Sequence, residues 1–347
     1  MINKKKNRYN WLWILFLLVS ICMGYLLTNV QAENIDIKTP NLQLTTHEEI
    51  SIESDQDFID LGFSGDGTEL NPYLIENLEI KVSGIVDAIL IKNTTKYFTI
   101  QNCVISGGQI GIALEDIESG TAKIINNNCS KNALYGISLV NVSDVTIEGS
   151  TTNNNGNTGI RIRDCTNLVI NGTLCDSPYG TGILAFDSIN LDITENNISS
   201  CLMNGITFQN VTDATIHRNI VEGAWYNAVE FNPSSSENKV HHNDFIDNHL
   251  GEDSQGYDLN GNNLWYDEGL QKGNYWSNYD GEGTYRIDGS DVYDLYPLLE
   301  RVFKDDDGED GEEGDNGTTD ESYFALLSSI ISILSLVIIY YRFRKRI

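Results

Sequence analysis

The sequence predicts an all-β chain wound as a parallel β-helix of about eight coils, and three observations carry that reading. One apolar position returns on a fixed beat: Ile100, Ile124, Ile147, Ile170, Ile193, Ile216 and Val240 follow one another at steps of 24, 23, 23, 23, 23 and 24 residues. A Gly-Ile phrase keeps the same beat at Gly111-Ile112, Gly136-Ile137, Gly159-Ile160, Gly182-Ile183 and Gly205-Ile206, and ends in the variant Ala228-Val229. Within a repeat, apolar and polar residues alternate, as at Val145 and Ile147 and at Ile160 and Ile162, which is the period of strands rather than helices. A constant period of this size marks a solenoid in which each repeat buries its apolar side only against its neighbours.

Taken in order, residues 1–32 read as a secretory signal. Lys4, Lys5, Lys6 and Arg8 precede an apolar run from Trp11 to Leu27, and Val30-Gln31-Ala32 offers a small-residue exit. Residues 33–70 are irregular and acidic and are expected to form an N-terminal cap, and residues 71–250 form the β-helix, with the first coil entered at Leu74 and Ile75. Within each coil, three short strands rich in Ile, Val and Thr are separated by Asn, Gly, Ser and Asp turns. Asn or Asp recurs at one turn, as Asn93, Asp116, Asn141, Asp164, Asp187 and Asn210. A second polar row, Asn127, Ser150, Thr173, Asn196, Asn219 and Asn243, is placed to bond along the axis.

Residues 251–303 hold Trp265, Tyr266, Tyr275, Trp276, Tyr279, Tyr285, Tyr293 and Tyr296, an aromatic capping region for the last coil, whose open end would otherwise be a sticky edge. Residues 304–322 are an acidic linker. Residues 323–341 are uncharged and long enough for a transmembrane helix, and the basic tail 342–347 is expected inside the cell. These ends predict a single-pass membrane protein with an extracellular or periplasmic ectodomain and a cytoplasmic C-terminal tail.

The net charge is −28, and since eight of the 22 Lys and Arg sit in the two terminal basic clusters, the segment between them carries −36. Such a surface repels nucleic acid and attracts divalent cations, calcium among them. Sequons at Asn93, Asn128, Asn141, Asn171, Asn197, Asn210 and Asn316 are glycosylation candidates. Beyond the signal there are five cysteines, Cys103, Cys129, Cys165, Cys175 and Cys201. Cys129 and Cys175 fall on one inward column two coils apart with Thr152 between them, about 9 to 10 Å and beyond the reach of a disulfide, so buried free thiols are expected.

The run GDGTELNPYLIEN from Gly65, the 23-residue coils, and the closing phrases NNLWYDEG, GNYWSNYDGEG and DGSDVYDLYP resemble the NosD-like family of right-handed parallel β-helix proteins. The resemblance implies a right-handed, single-stranded β-helix and a role as a periplasmic accessory that handles copper. The chain departs from the family's namesakes in its membrane anchor, its acidic stalk and the run Arg286 to Asp291, which stands where a DGIGD-type run is usual.

Stacking outward residues by column tests for chemistry. Ala113, Ser138, Arg161, Leu184, Thr207 and Glu230 share one column, and Glu115, Val140, Arg163, Phe186, Gln209 and Asn232 its neighbour. Neither supplies the paired carboxylates that glycoside hydrolysis needs. Two constellations remain. His217 and His241 occupy one column on adjacent coils, with His242 beside them and Glu195 on the coil before, a candidate set for copper or zinc. Tyr179, Trp225 and Tyr226 lie just before the Gly-Ile strand and form a candidate glycan surface. The expectation is a non-catalytic β-helix module for glycan binding or cell-surface structure. The alternatives are a copper-handling accessory and a polysaccharide lyase or hydrolase.

Overall fold

The computed structural model describes residues 43–176, 179–249 and 254–303. The signal segment, the acidic linker, the proposed transmembrane helix and the basic tail lie outside the described residues. Among the described residues no helix is long and apolar enough to cross a membrane.

The inward beat of the sequence is the register of the structure. Ile75 pairs with Ile100, Ile100 with Ile124, Ile124 with Ile147, Ile147 with Ile170, Ile170 with Ile193, Ile193 with Ile216 and Ile216 with Val240, all in parallel ladders. This row builds the first face, which runs from Tyr73–Glu76 to Lys239–His241. The Gly-Ile row builds a face of its own, here called the third, from Ile50–Ile52 to Gly256–Asp258, with Ile112, Ile137, Ile160, Ile183, Ile206 and Val229 in register. Thr45–His47 opens the second face, and Tyr275–Trp276 closes it. Thr151 bridges to Asn128 and to Leu174, so the second face continues across the one coil where its strand is reduced to a single residue. The result is a parallel β-solenoid of about eight turns.

The row residues are Ile because a stacked β-branched side chain fills the narrow interior in few rotamers, and burying each one contributes about 2 kcal/mol. Every Ile of the first-face row is fully buried. The Gly of the Gly-Ile phrase has a different cause. A Cβ on Gly182 would stand 2.4 Å from Ile198 Cγ2 and 2.8 Å from the Gly205 carbonyl oxygen, so the close approach of successive coils excludes it.

Both polar rows form as expected. The turn residues Asn93, Asp116, Asn141, Asp164, Asp187 and Asn210 all have left-handed backbones, a conformation that Asn and Asp tolerate better than other non-glycine residues. Along the inner row, the amide oxygens of Asn196, Asn219 and Asn243 accept the backbone N–H of Thr173, Asn196 and Asn219 at 2.8, 3.0 and 2.9 Å. Their amide nitrogens donate to Ile170, Ile193 and Ile216 carbonyls at 2.8 to 2.9 Å. The five cysteines are free and buried, and Thr152 Oγ1 donates to Cys175 Sγ at 3.1 Å. Burial pushes the Cys103 and Cys175 thiols up to about 11 and about 12, which keeps them protonated.

At both ends the solenoid extends beyond the expected limits. Thr45–His47 and Ile50–Ile52, placed by the sequence in an irregular cap, pair with the first coil. A six-residue helix, α1 (Asp55–Asp60), then covers it: Phe58 is buried and stacks on Tyr73 with ring centroids 4.7 Å apart. At the other end, Gly256–Asp258 and Tyr275–Trp276 add strands after residue 250, where the sequence placed only a cap. Trp265 and Trp276 fill the last interior layer, and Tyr285 stacks on Trp276 at 4.1 Å from the hairpin Tyr285–Ile287 and Val292–Asp294. Buried Asp294 ties the hairpin down, accepting from Asn274 N–H at 2.8 Å and Trp276 Nε1–H at 3.0 Å.

Candidate functional site

Where the first face ends, imidazoles gather. His217 pairs with His241 in the ladder, and their ring centroids lie 5.6 Å apart. His241 points outward because Val240 points in. His242, the next residue, would face away in a continued strand, but its left-handed backbone (φ 55°) turns the chain at the corner and keeps its ring outside as well. The two rings therefore meet edge to face at 5.0 Å, with Nδ1 2.9 Å from Nδ1.

Asp267 completes the group. Its carboxylate and the two imidazoles offer ligand atoms that all lie within 4.8 Å of one another. Asp267 Oδ1 accepts the N–H groups of Gly269 and Leu270 at 2.8 and 2.9 Å, and these bonds hold its carboxyl below the usual range and aim it. Burial, then the neighbouring His242 and His217, pushes His241 down to about 4. Burial pushes His242 down too, against the opposing pull of Asp267. Both rings are thus neutral at ordinary pH, the form in which imidazole binds a metal.

The structure brings His217, His241 and His242 together as the sequence placed them. Glu195 is held elsewhere: its Oε1 accepts from Arg218 Nε at 2.9 Å, and Arg218 lies against the Phe303 ring. His217 Nε2 lies 3.0 Å from Asp192 Oδ1. Asp267 was not singled out from the sequence, yet the beat carried a signal for it. One further step of 24 from Val240 reaches Leu264, whose carbonyl accepts the Val240 N–H at 2.8 Å, and Asp267 follows three residues later.

The aromatic residues lie at another corner, between the second and third faces. Tyr179, Trp225 and Tyr226 are 69, 67 and 47% exposed, with Leu202 and Met203 exposed between them. The turn backbones that carry them are laddered: Trp225 N–H donates to Cys201 O at 2.8 Å, Tyr226 N–H to Met203 O at 3.2 Å, and Met203 N–H to Gly180 O at 3.2 Å.

With this geometry in hand, comparison with known proteins places the chain. The model of the family described as periplasmic copper-binding protein (NosD) matches residues 71–281, more than half of the sequence. The chain belongs to the NosD family. The matched stretch takes in the coils of the first face, the imidazole group and the aromatic corner. Among solved structures, the chain is similar to the A-module of mannuronan C-5 epimerase AlgE4 from Azotobacter vinelandii, at 14% identity and a TM-score of 0.39 over 50% of this chain and 59% of that one. It is also similar to the enzymatically active domain of tailspike protein 2 from bacteriophage CBA120, at 14% identity and 0.40 over 58% and 38%. This NosD-family chain thus spans less than two thirds of either structure. No curated protein matches it.

Proposed function

We propose that this NosD-family protein is a non-catalytic copper-handling rod, with the ion as its cargo on His241, His242 and Asp267. The observation that carries the proposal is the convergence of two neutral imidazoles and a carboxylate within 4.8 Å. The donor types fit. Two imidazole nitrogens and a carboxylate oxygen suit Cu(II), whereas Cu(I) favours thiolate or thioether, and the five described cysteines are buried in the solenoid. His217 lies one coil away, its ring centroid 5.6 Å from that of His241 and its Nε2 held 3.0 Å from Asp192 Oδ1. The family description supports the same cargo.

Location follows as part of the proposal: export by the N-terminal segment and retention by the C-terminal apolar segment would hold the rod outside the cytoplasm on its acidic linker. The test is a competitive Cu(II) titration of the full chain. One ion per chain is expected, and a His241→Ala, His242→Ala double variant should lose at least tenfold in affinity; an unchanged affinity would rule the site out.

A second reading, carbohydrate recognition at the cell surface, rests on a separate observation, the exposed rings of Tyr179, Trp225 and Tyr226. Exposed aromatic rings on a rigid backbone bind the C–H faces of sugars.

A further inference from the structure

We infer that the corner bearing Tyr179, Leu202, Met203, Trp225 and Tyr226 binds an extended, equatorially linked glycan, neutral or amino-substituted, that lies parallel to the solenoid axis. The inference rests on the carbohydrate reading above and adds to it the class and direction of the ligand.

Direction comes from spacing. Tyr179, Leu202 and Trp225 occupy equivalent positions on three successive coils, so Tyr179 and Trp225 stand two coils, about 10 Å, apart. That is close to the length of two sugar units in an extended chain with equatorial linkages. Such a chain presents flat C–H faces at this interval, whereas an axially linked chain curls away. Leu202 and Met203 fill the interval with apolar surface. The rings cannot turn inward, because Cys201 and Ala224 already fill the interior behind them.

Class comes from the polar groups on either side. Toward the second face, Asp176 and Glu222 stand in register with Ser199 between them. Toward the third face, Glu230 accepts from Asn204 Nδ2 at 2.7 Å, with Thr207 beside it in the ladder. Carboxylates on both flanks accept hydroxyl or ammonium donors and repel uronates. A second copy of the chain is a poor occupant, since docking would bring two bodies of net charge −28 together.

The test uses the full chain in detergent and isothermal titration with chitohexaose, its de-N-acetylated counterpart, cellohexaose and hexamannuronate. At least one of the first three is expected to bind, more tightly than its disaccharide, and Trp225→Ala and Tyr179→Ala should each weaken binding by about tenfold. Melting curves of the variants should match the parent, because both side chains are exposed. Binding that survives the double variant would overturn this corner as the site and leave the carbohydrate reading standing. Preference for hexamannuronate would overturn the class alone. No binding to any of the four by the folded chain would overturn both, and Trp225-dependent dimerisation in sedimentation would give the corner to a second copy.

Discussion

The Nδ1 atoms of His241 and His242 lie 2.9 Å apart although the residues are consecutive, because His242 takes a left-handed backbone at the end of its strand. Other coils hold Asn102, Asn126, Gly149 and Gly172 at that corner, residues for which the conformation costs little. From Glu195 onward the corner carries Glu195, Arg218 and His242 instead. The chain thus accepts a less favourable backbone on the coils that flank the imidazole group, a feature associated with functional sites.

The same group makes the metal-free rod sensitive to acid. His241 is held at about 4 when folded against 6.5 when unfolded, so between those values only the unfolded chain takes the proton. The stability gained by keeping the ring neutral is present above pH 6.5 and is lost as pH falls toward 4. Buried Asp294 acts in the opposite direction: burial lifts it from 3.8 to about 6, so its contribution is present below 3.8 and is lost as pH rises through 6. A His241→Gln variant retains the Asp294 effect and loses the histidine effect. Relative to the parent it should gain about 1 kcal/mol near pH 4 compared with pH 7, after allowance for the partial exposure of the ring. Parallel urea-unfolding curves at both pH values would contradict this.

Asn219 is fully buried, accepts the Asn196 N–H and donates to the Ile193 and His217 carbonyls. Asn219→Ala strands those three groups without water, and a loss of about 3 kcal/mol in unfolding free energy is expected. Asn243, on the next coil, should behave alike. A loss under about 1 kcal/mol would mean that water replaces the side chain.

Gly182→Val tests the coil spacing. Its Cβ would overlap Ile198 and the carbonyl of Gly205, and no flexible side-chain end can yield to relieve the backbone contact. Destabilisation of about 3 kcal/mol or failure to fold is expected, read from circular dichroism melts. Ala at the same site should cost less, since the last repeat carries Ala228 in that position.

Ile160→Asp puts a carboxylate into a fully buried position on the third face, where its neighbours in register are Ile137 and Ile183. An unpaired charge there should unfold the rod at neutral pH, with partial recovery in acid as the carboxyl protonates. A variant with native stability at neutral pH would show that this position is not interior.

What the sequence made legible was whatever obeyed the beat. The register from Ile75 to Val240, the Asn row and the free thiols follow from counting, because in a solenoid equal spacing is spatial adjacency. The ends broke the beat. Thr45 lies 33 residues from its ladder partner Leu78 and Ile50 lies 39 from Ile89, and 31 residues separate Asn243 from its partner Asn274, in place of 23 or 24. Asp267 lies three residues past Leu264, the next step of the beat, and off the stacked columns, so column counting found the imidazoles and missed the carboxylate. Glu195 was placed in the correct column, but counting could not foresee that Arg218 would claim it.

The most direct measurement is electron paramagnetic resonance of the full chain loaded with one equivalent of Cu(II), beside His241→Ala, His242→Ala and Asp267→Asn variants. The parent should give hyperfine coupling to at least two imidazole nitrogens, each histidine variant should lose one, and Asp267→Asn should shift the spectrum while keeping both. A parent spectrum unchanged in all three variants, or one without imidazole coupling, would contradict a copper site at the end of the first face.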